Sequence, residues 1–153
     1  MEFTVNDIND TFSIGRQLGE KCKAGDIICL DGDLGAGKTH FTKGIASGLG
    51  IEEDITSPTF TIVNEYDGGR LKLNHFDVYR VNDPDEIEAI GFDEYIFGQA
   101  VSVIEWASYI DVLIPENALS ISIIKLPELG ENFRKIVIKY SNDRYAYVKE
   151  IEI

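Results

Sequence analysis

The residues best suited to chemistry fall in one run, Gly32-Asp33-Leu34-Gly35-Ala36-Gly37-Lys38-Thr39, which opens on glycine and closes on Gly-Lys-Thr. Glycines let backbone N–H groups converge on one point, and such a nest attracts an anion. A lysine at this spacing can bridge the β- and γ-phosphates of a nucleotide, and a threonine hydroxyl beside it suits Mg2+, which takes oxygen ligands and keeps several waters. The run is expected to bind ATP with Mg2+, with Asp33, Gly35, Ala36, Gly37, Lys38, Thr39 and His40 around the phosphates.

A phosphate loop of this kind also needs an acid at the end of a neighbouring strand. Glu105 ends the apolar run 101–104 and is assigned to the metal with Thr39, directly or through water. Asp77 ends a more polar run and is assigned to polarising the attacking water or sensing the γ-phosphate. The catalytic set is then Lys38, Asp77 and Glu105. Ser57 and Thr59 lie in a polar, proline-broken segment, from which switch loops approach a γ-phosphate. Trp106 could wall the site, anchor a partner or pack in the core. The imidazoles of His40 and His75 have neither metal-ligand spacing nor a nearby nucleophile and receive no role.

Three kinds of element must position these groups. Residues 7–22 place Ile8, Phe12, Leu18 and Cys22 at helical spacing behind an Asn6 or Asp7 cap. Residues 27–30 form a continuous apolar run, the pattern of a strand buried on both faces, and lead straight into the glycine-rich run. A helix over 38–49 follows it, stopped by Gly50. Residues 60–66 and 71–77 read as a hairpin around Asp67-Gly68-Gly69, and a short helix after Asp83-Pro84 should end at Gly91. Residues 101–104 form a second buried strand. Residues 118–126, 133–140 and 145–153 alternate with period two and suggest an antiparallel extension of the sheet. The fold class expected is three-layer α/β, a P-loop NTPase-like mixed sheet with antiparallel C-terminal strands, in a single domain over 1–153.

Composition narrows the partners. With 44% hydrophobic and 27% charged residues in 153, the chain matches globular averages. Its longest apolar runs fall far short of the roughly 20 residues a spanning helix needs, and its first residues carry no export pattern, so a cytoplasmic protein without membrane contact is expected. The two cysteines, Cys22 and Cys29, suit packing better than a disulfide or a metal. A net charge of −13 argues against unaided binding of DNA or RNA, which requires clustered cations. Arg16, Arg70, Arg80, Arg134 and Arg144 are dispersed, so the arginine-rich lid of a small-molecule kinase is not evident.

Four ordered motifs, residues 32–39, Ser57-Pro58-Thr59-Phe60-Thr61, His75-Phe76-Asp77-Val78-Tyr79-Arg80 and Ile104-Glu105-Trp106, closely resemble the bacterial TsaE family over roughly residues 4–125. The resemblance implies an ATPase required for threonylcarbamoyladenosine at position 37 of tRNA. It would be accessory to the TsaD and TsaB proteins, which transfer the group and would hold the tRNA. It further implies Lys38 as the phosphate lysine, Thr39 and Glu105 as the Mg2+ site, Asp77 as needed for hydrolysis, and Tyr79, Arg80 and Trp106 as functional positions. Family N-terminal residues near Thr11 approach the nucleotide. His40 departs from the second Thr or Ser that many relatives carry.

Overall fold

The structure is a computed structural model that describes residues 1–58 and 62–153. In chain order its elements are β1 (Glu2–Val5), α1 (Ile8–Lys21), β2 (Ile27–Gly32), α2 (Lys38–Gly48), β3 (Val63–Tyr66), β4 (Leu73–Asp77), α3 (Pro84–Ala89), α4 (Phe92–Ile96), β5 (Val101–Glu105), β6 (Leu119–Lys125) and β7 (Arg134–Lys139), with 3₁₀ segments at Ala107–Leu113 and Asp143–Glu150. The strands form one mixed sheet in the order β1-β7-β6-β2-β5-β4-β3. Its middle, β6-β2-β5-β4, is parallel, and β7, β1 and β3 add antiparallel pairs at the flanks.

The apolar runs of β2 and β5 are continuous because both faces of the sheet are covered. Ile28, Leu30, Val101 and Val103 pack under α1 and α2, whereas Ile27, Cys29, Phe76 and Ile104 pack under α3, α4 and the first 3₁₀ segment. The three layers expected from the sequence follow from this alternation. Asp7 caps α1 by accepting from Asn9 N–H, and Asp83 caps α3 ahead of Pro84. Ile8, counted with the apolar face, is instead exposed beside the glycine-rich loop.

Helix α1 lies unusually close to α2. Gly15 and Gly19 of α1 face Gly44 and Gly48 of α2, and a Cβ built on Gly48 would stand 2.8 Å from the Gly19 Cα. In an exposed helix interior alanine gains up to about 1 kcal/mol over glycine. Here that gain is outweighed by forced separation of two backbones, for which overpacking costs of about 1–3 kcal/mol are typical. Gly19→Ala is therefore expected to lower the melting temperature by several degrees, at about 2–4 °C per kcal/mol for a chain of this size. A thermal melt in which Gly19→Ala is the more stable protein would contradict the close approach.

Two sequence expectations need correction. Residues 145–153 do not form a strand: Asp143–Glu150 is 3₁₀, with Tyr145, Val148 and Ile151 buried at a spacing of three, the period of that helix. Its place is fixed by the buried Asp26 carboxylate, which accepts from Lys23 N–H at 2.8 Å, Arg144 Nε at 2.9 Å and Tyr147 OH at 2.6 Å. The strand that joins β7 is instead β1, at the N-terminus. In the hairpin, Phe60 and Thr61 lie outside the described residues, and β3 and β4 pair from Val63↔Phe76 to Tyr66↔Leu73. Helix α4 is a further addition. Cys22 and Cys29 are free and buried, and burial pushes each thiol up to about 12.

Candidate functional site

The parallel middle of the sheet brings three strand ends together. Leu30 of β2 pairs with Glu105 of β5, which pairs with Asp77 of β4, so both acids stand at the carboxyl end beside the loop that leaves β2. Ligands of open α/β sheets gather at this edge. A cleft of about 350 Å³ opens there, lined by Leu34, Gly35, Gly37, Lys38, Thr39, His40, Ser57, Asp77, Glu105 and Trp106.

The loop can take its shape because Gly35 and Gly37 have φ of 75° and 114°, conformations that cost a residue with a Cβ. Gly37 precedes the first turn of α2 without a side-chain cap, so the unpaired N–H groups of that turn are available to an anion. The Arg134 guanidinium, on β7, donates to Ala36 O at 3.0 Å and Gly35 O at 3.4 Å, holding those carbonyls from behind. Nothing local in the sequence marks Arg134 for this, since it joins the loop only through the sheet.

Lys38 is buried, and its ammonium donates to Gly32 O and, at 2.9 Å, to Asp33 O. The same nitrogen lies 4.0 Å from the centre of the Trp106 ring. Burial lowers the Lys38 pKa, against the carboxylates of Glu105, Asp77, Asp33 and Asp31, which favour its charge. Trp106 has a φ of 62°, a left-handed conformation held while its N–H donates to Leu30 O at 3.0 Å. Its ring also meets Tyr79 and Tyr109, so Trp106 walls the cleft between the lysine and an exposed aromatic cluster.

Asp77 is fixed at both oxygens, accepting from Tyr79 N–H at 3.0 Å and from the Ser57 hydroxyl at 3.1 Å. Glu105 is buried, and its Oε2 meets Nε2 of the fully buried His75. Thr39 and Glu105 line the same cleft and offer only oxygen donors. Among the described residues no group of three or more His, Cys, Asp or Glu could hold a metal by itself. These donors fit Mg2+, which is commonly held by one or two protein oxygens together with phosphates and water.

Several expected residues stand apart from the cleft. Asp33 contributes its carbonyl to Lys38 and does not line it. Thr11 and Ala36 line an adjoining cleft of about 130 Å³ that shares Gly35, Gly37 and His40, and the Thr11 methyl lies 3.7 Å from where a Cβ on Gly37 would be. Arg80 and Tyr79 line a neighbouring groove of about 380 Å³ that shares Leu34, Ser57, Asp77 and Trp106. Thr59 lies outside the described residues. His75, given no role from sequence, is the residue missed; its signal is strand parity, which puts it on the same face as Asp77.

A larger cleft of about 630 Å³ opens around Arg70, Lys72, Asn74 and Glu94. Its cations are already engaged, Arg70 on the carbonyls of Gly19, Glu20 and Cys22 and Lys72 on Glu65, so it lacks the converging donors of the glycine-rich loop. Arg144 is spent on Asp26 and Arg134 on the loop, and no arginine lid assembles among the described residues. No helix among the described residues is long and apolar enough to cross a membrane.

Comparisons with known proteins point to one family. The family model for threonylcarbamoyl adenosine biosynthesis protein TsaE matches residues 5–134. The tRNA threonylcarbamoyladenosine biosynthesis protein TsaE of Bacillus subtilis (strain 168) is 45% identical over 147 residues, 96% of this chain and 89% of that protein. Its counterpart in Treponema pallidum (strain Nichols) is 45% identical over 138 residues, 90% of this chain and 99% of that protein. The crystal structure of YdiB from Bacillus subtilis superposes with a TM-score of 0.81 at 39% identity, covering 98% of this chain and 91% of that one.

Proposed function

We infer that this chain, which belongs to the TsaE family and with it to the biosynthesis of threonylcarbamoyladenosine in tRNA, is a Mg2+-dependent ATPase accessory to TsaD and TsaB. One observation carries the reading: Lys38 and Thr39 of the glycine-rich loop line a single cleft with Asp77 and Glu105 from two adjacent parallel strands. That is the minimal equipment for binding a triphosphate and aiming a water at it.

Each residue then has one task. The N–H groups at the start of α2 receive the β-phosphate, and Lys38 exchanges the carbonyls of Gly32 and Asp33 for phosphate oxygens, which are stronger acceptors. Thr39 and Glu105 would hold Mg2+, Glu105 directly or through water. When bound, Mg2+ neutralises charge that develops on the phosphate oxygens during transfer. Asp77 orients the attacking water or senses the γ-phosphate. Its Oδ2 also accepts from the Ser57 hydroxyl, which ties the two residues together at the cleft. Trp106 walls the cleft beside the Lys38 ammonium.

The acidity of the chain bears on its partners. At a net charge of −13 it is ill suited to grip tRNA directly, which agrees with what the family resemblance implies: the TsaD–TsaB complex would hold the tRNA, and this protein would meet it only through that complex, in the cytoplasm. The test is release of inorganic phosphate from ATP by the chain alone and with TsaB and TsaD. Turnover is expected to be slow alone and faster with both partners, as happens when a partner completes a phosphoryl-transfer site. Absence of phosphate release in both conditions would contradict an ATPase and leave a nucleotide-gated binding role.

A further inference from the structure

Glu105 is a rotatable side chain at the end of β5, lining the same cleft as Lys38 and Thr39, so its carboxylate has two places to go. It can keep the direction that a metal or metal-bound water needs, or turn away from it. His75 decides between them. The ring is fully buried on β4, two residues before Asp77, and its Nε2 meets Glu105 Oε2 across the strand pair. Its Nδ1 has no hydrogen-bond partner among the described residues. A proton there would be an orphaned buried donor, costing about 1–3 kcal/mol, so the N–H belongs on Nε2 and donates to the carboxylate.

We propose that His75 is the positioning residue of this site: it clamps one oxygen of Glu105, leaves the other to the cleft, and thereby sets affinity for Mg2+ and not for the nucleotide. The proposal rests on the reading of Glu105 as a Mg2+ residue. A purely structural His75 would change stability alone. A partner that orients a metal-holding side chain typically changes metal affinity or activity by about 10- to 100-fold.

The test measures ADP affinity by titration calorimetry, in EDTA and across a Mg2+ series, for the full chain and for His75→Leu, His75→Gln and Glu105→Gln. Leucine deletes the donor at similar volume, and glutamine sets an amide N–H near the position of Nε2. His75→Leu and Glu105→Gln are each expected to raise the Mg2+ concentration that half-saturates ADP tightening by about 10- to 100-fold, and in His75→Leu ADP affinity in EDTA should change by less than about twofold. His75→Gln should return within about threefold of the parent chain. Should the leucine variant not fold, His75→Asn replaces it, because its shorter amide falls short of Glu105 and should show the defect that glutamine avoids. A Mg2+ requirement that moves in Glu105→Gln but not in His75→Leu or His75→Asn overturns the role of His75 alone. One that does not move in Glu105→Gln removes the metal assignment beneath it.

Discussion

Replacing Lys38 by alanine is expected to weaken binding of ATP and ADP by roughly two to four orders of magnitude while leaving the chain folded. Two charge-assisted hydrogen bonds to phosphate, at about 1.5–3 kcal/mol each, set the size of the loss, with about 1.4 kcal/mol per decade. The ammonium is not idle without a nucleotide, since it rests on Gly32 O, Asp33 O and the face of Trp106. Its removal therefore lowers stability as well, by about the 1 kcal/mol of a typical net hydrogen bond, or a few degrees of melting temperature. Thermal melts with and without Mg2+–ADP separate the two effects. Ligand at about 100 times its Kd should stabilise the parent chain by about 2.7 kcal/mol and the variant hardly at all. A variant that keeps the ligand-induced rise, or is already unfolded without ligand, would contradict the role given to Lys38.

Asp77→Ala is expected to leave ADP affinity within a few-fold and to cut phosphate release in the presence of TsaB and TsaD by about 10²- to 10⁴-fold, the range for a positioned group that handles the attacking water. Asp77 also has a structural duty, since its oxygens hold Tyr79 N–H and the Ser57 hydroxyl. Asp77→Asn tells the two apart. An amide oxygen can still accept from Tyr79 N–H, so the turn survives, but the charge that polarises water is gone. Turnover as low in the asparagine variant as in the alanine variant is the expected result. Turnover restored by asparagine would make Asp77 a scaffold for the Ser57 segment. An equal loss of nucleotide binding would make it a nucleotide ligand.

How much could be read in advance varies with how local the cause is. Strand β2, the loop and α2 were legible because a continuous apolar run, glycines and a lysine–threonine pair are adjacent in the chain. Glu105 and Asp77 were legible too, since each ends a run that must lie in the sheet. Tyr145–Ile151 misled because Tyr145, Tyr147 and Lys149 alternate as a strand would, whereas burial follows every third residue and the segment is pinned by Asp26, far away in sequence. β1 was invisible because its partner is β7, and an edge strand of four residues carries little pattern. The α1–α2 seam is written as two glycine pairs four residues apart, but only packing shows that they face each other. His75 escaped for the same reason: a buried histidine announces its partner only when the neighbouring strand is in place.

The proposed function requires the glycine-rich loop to be a phosphate site, and titration calorimetry of adenine nucleotides into the pure chain addresses that directly. Saturable heat of association is expected at one nucleotide per chain, tighter with Mg2+ than in EDTA, and lost in Lys38→Ala. No heat of association for ATP or ADP, with the chain alone or in company with TsaB and TsaD, would contradict it.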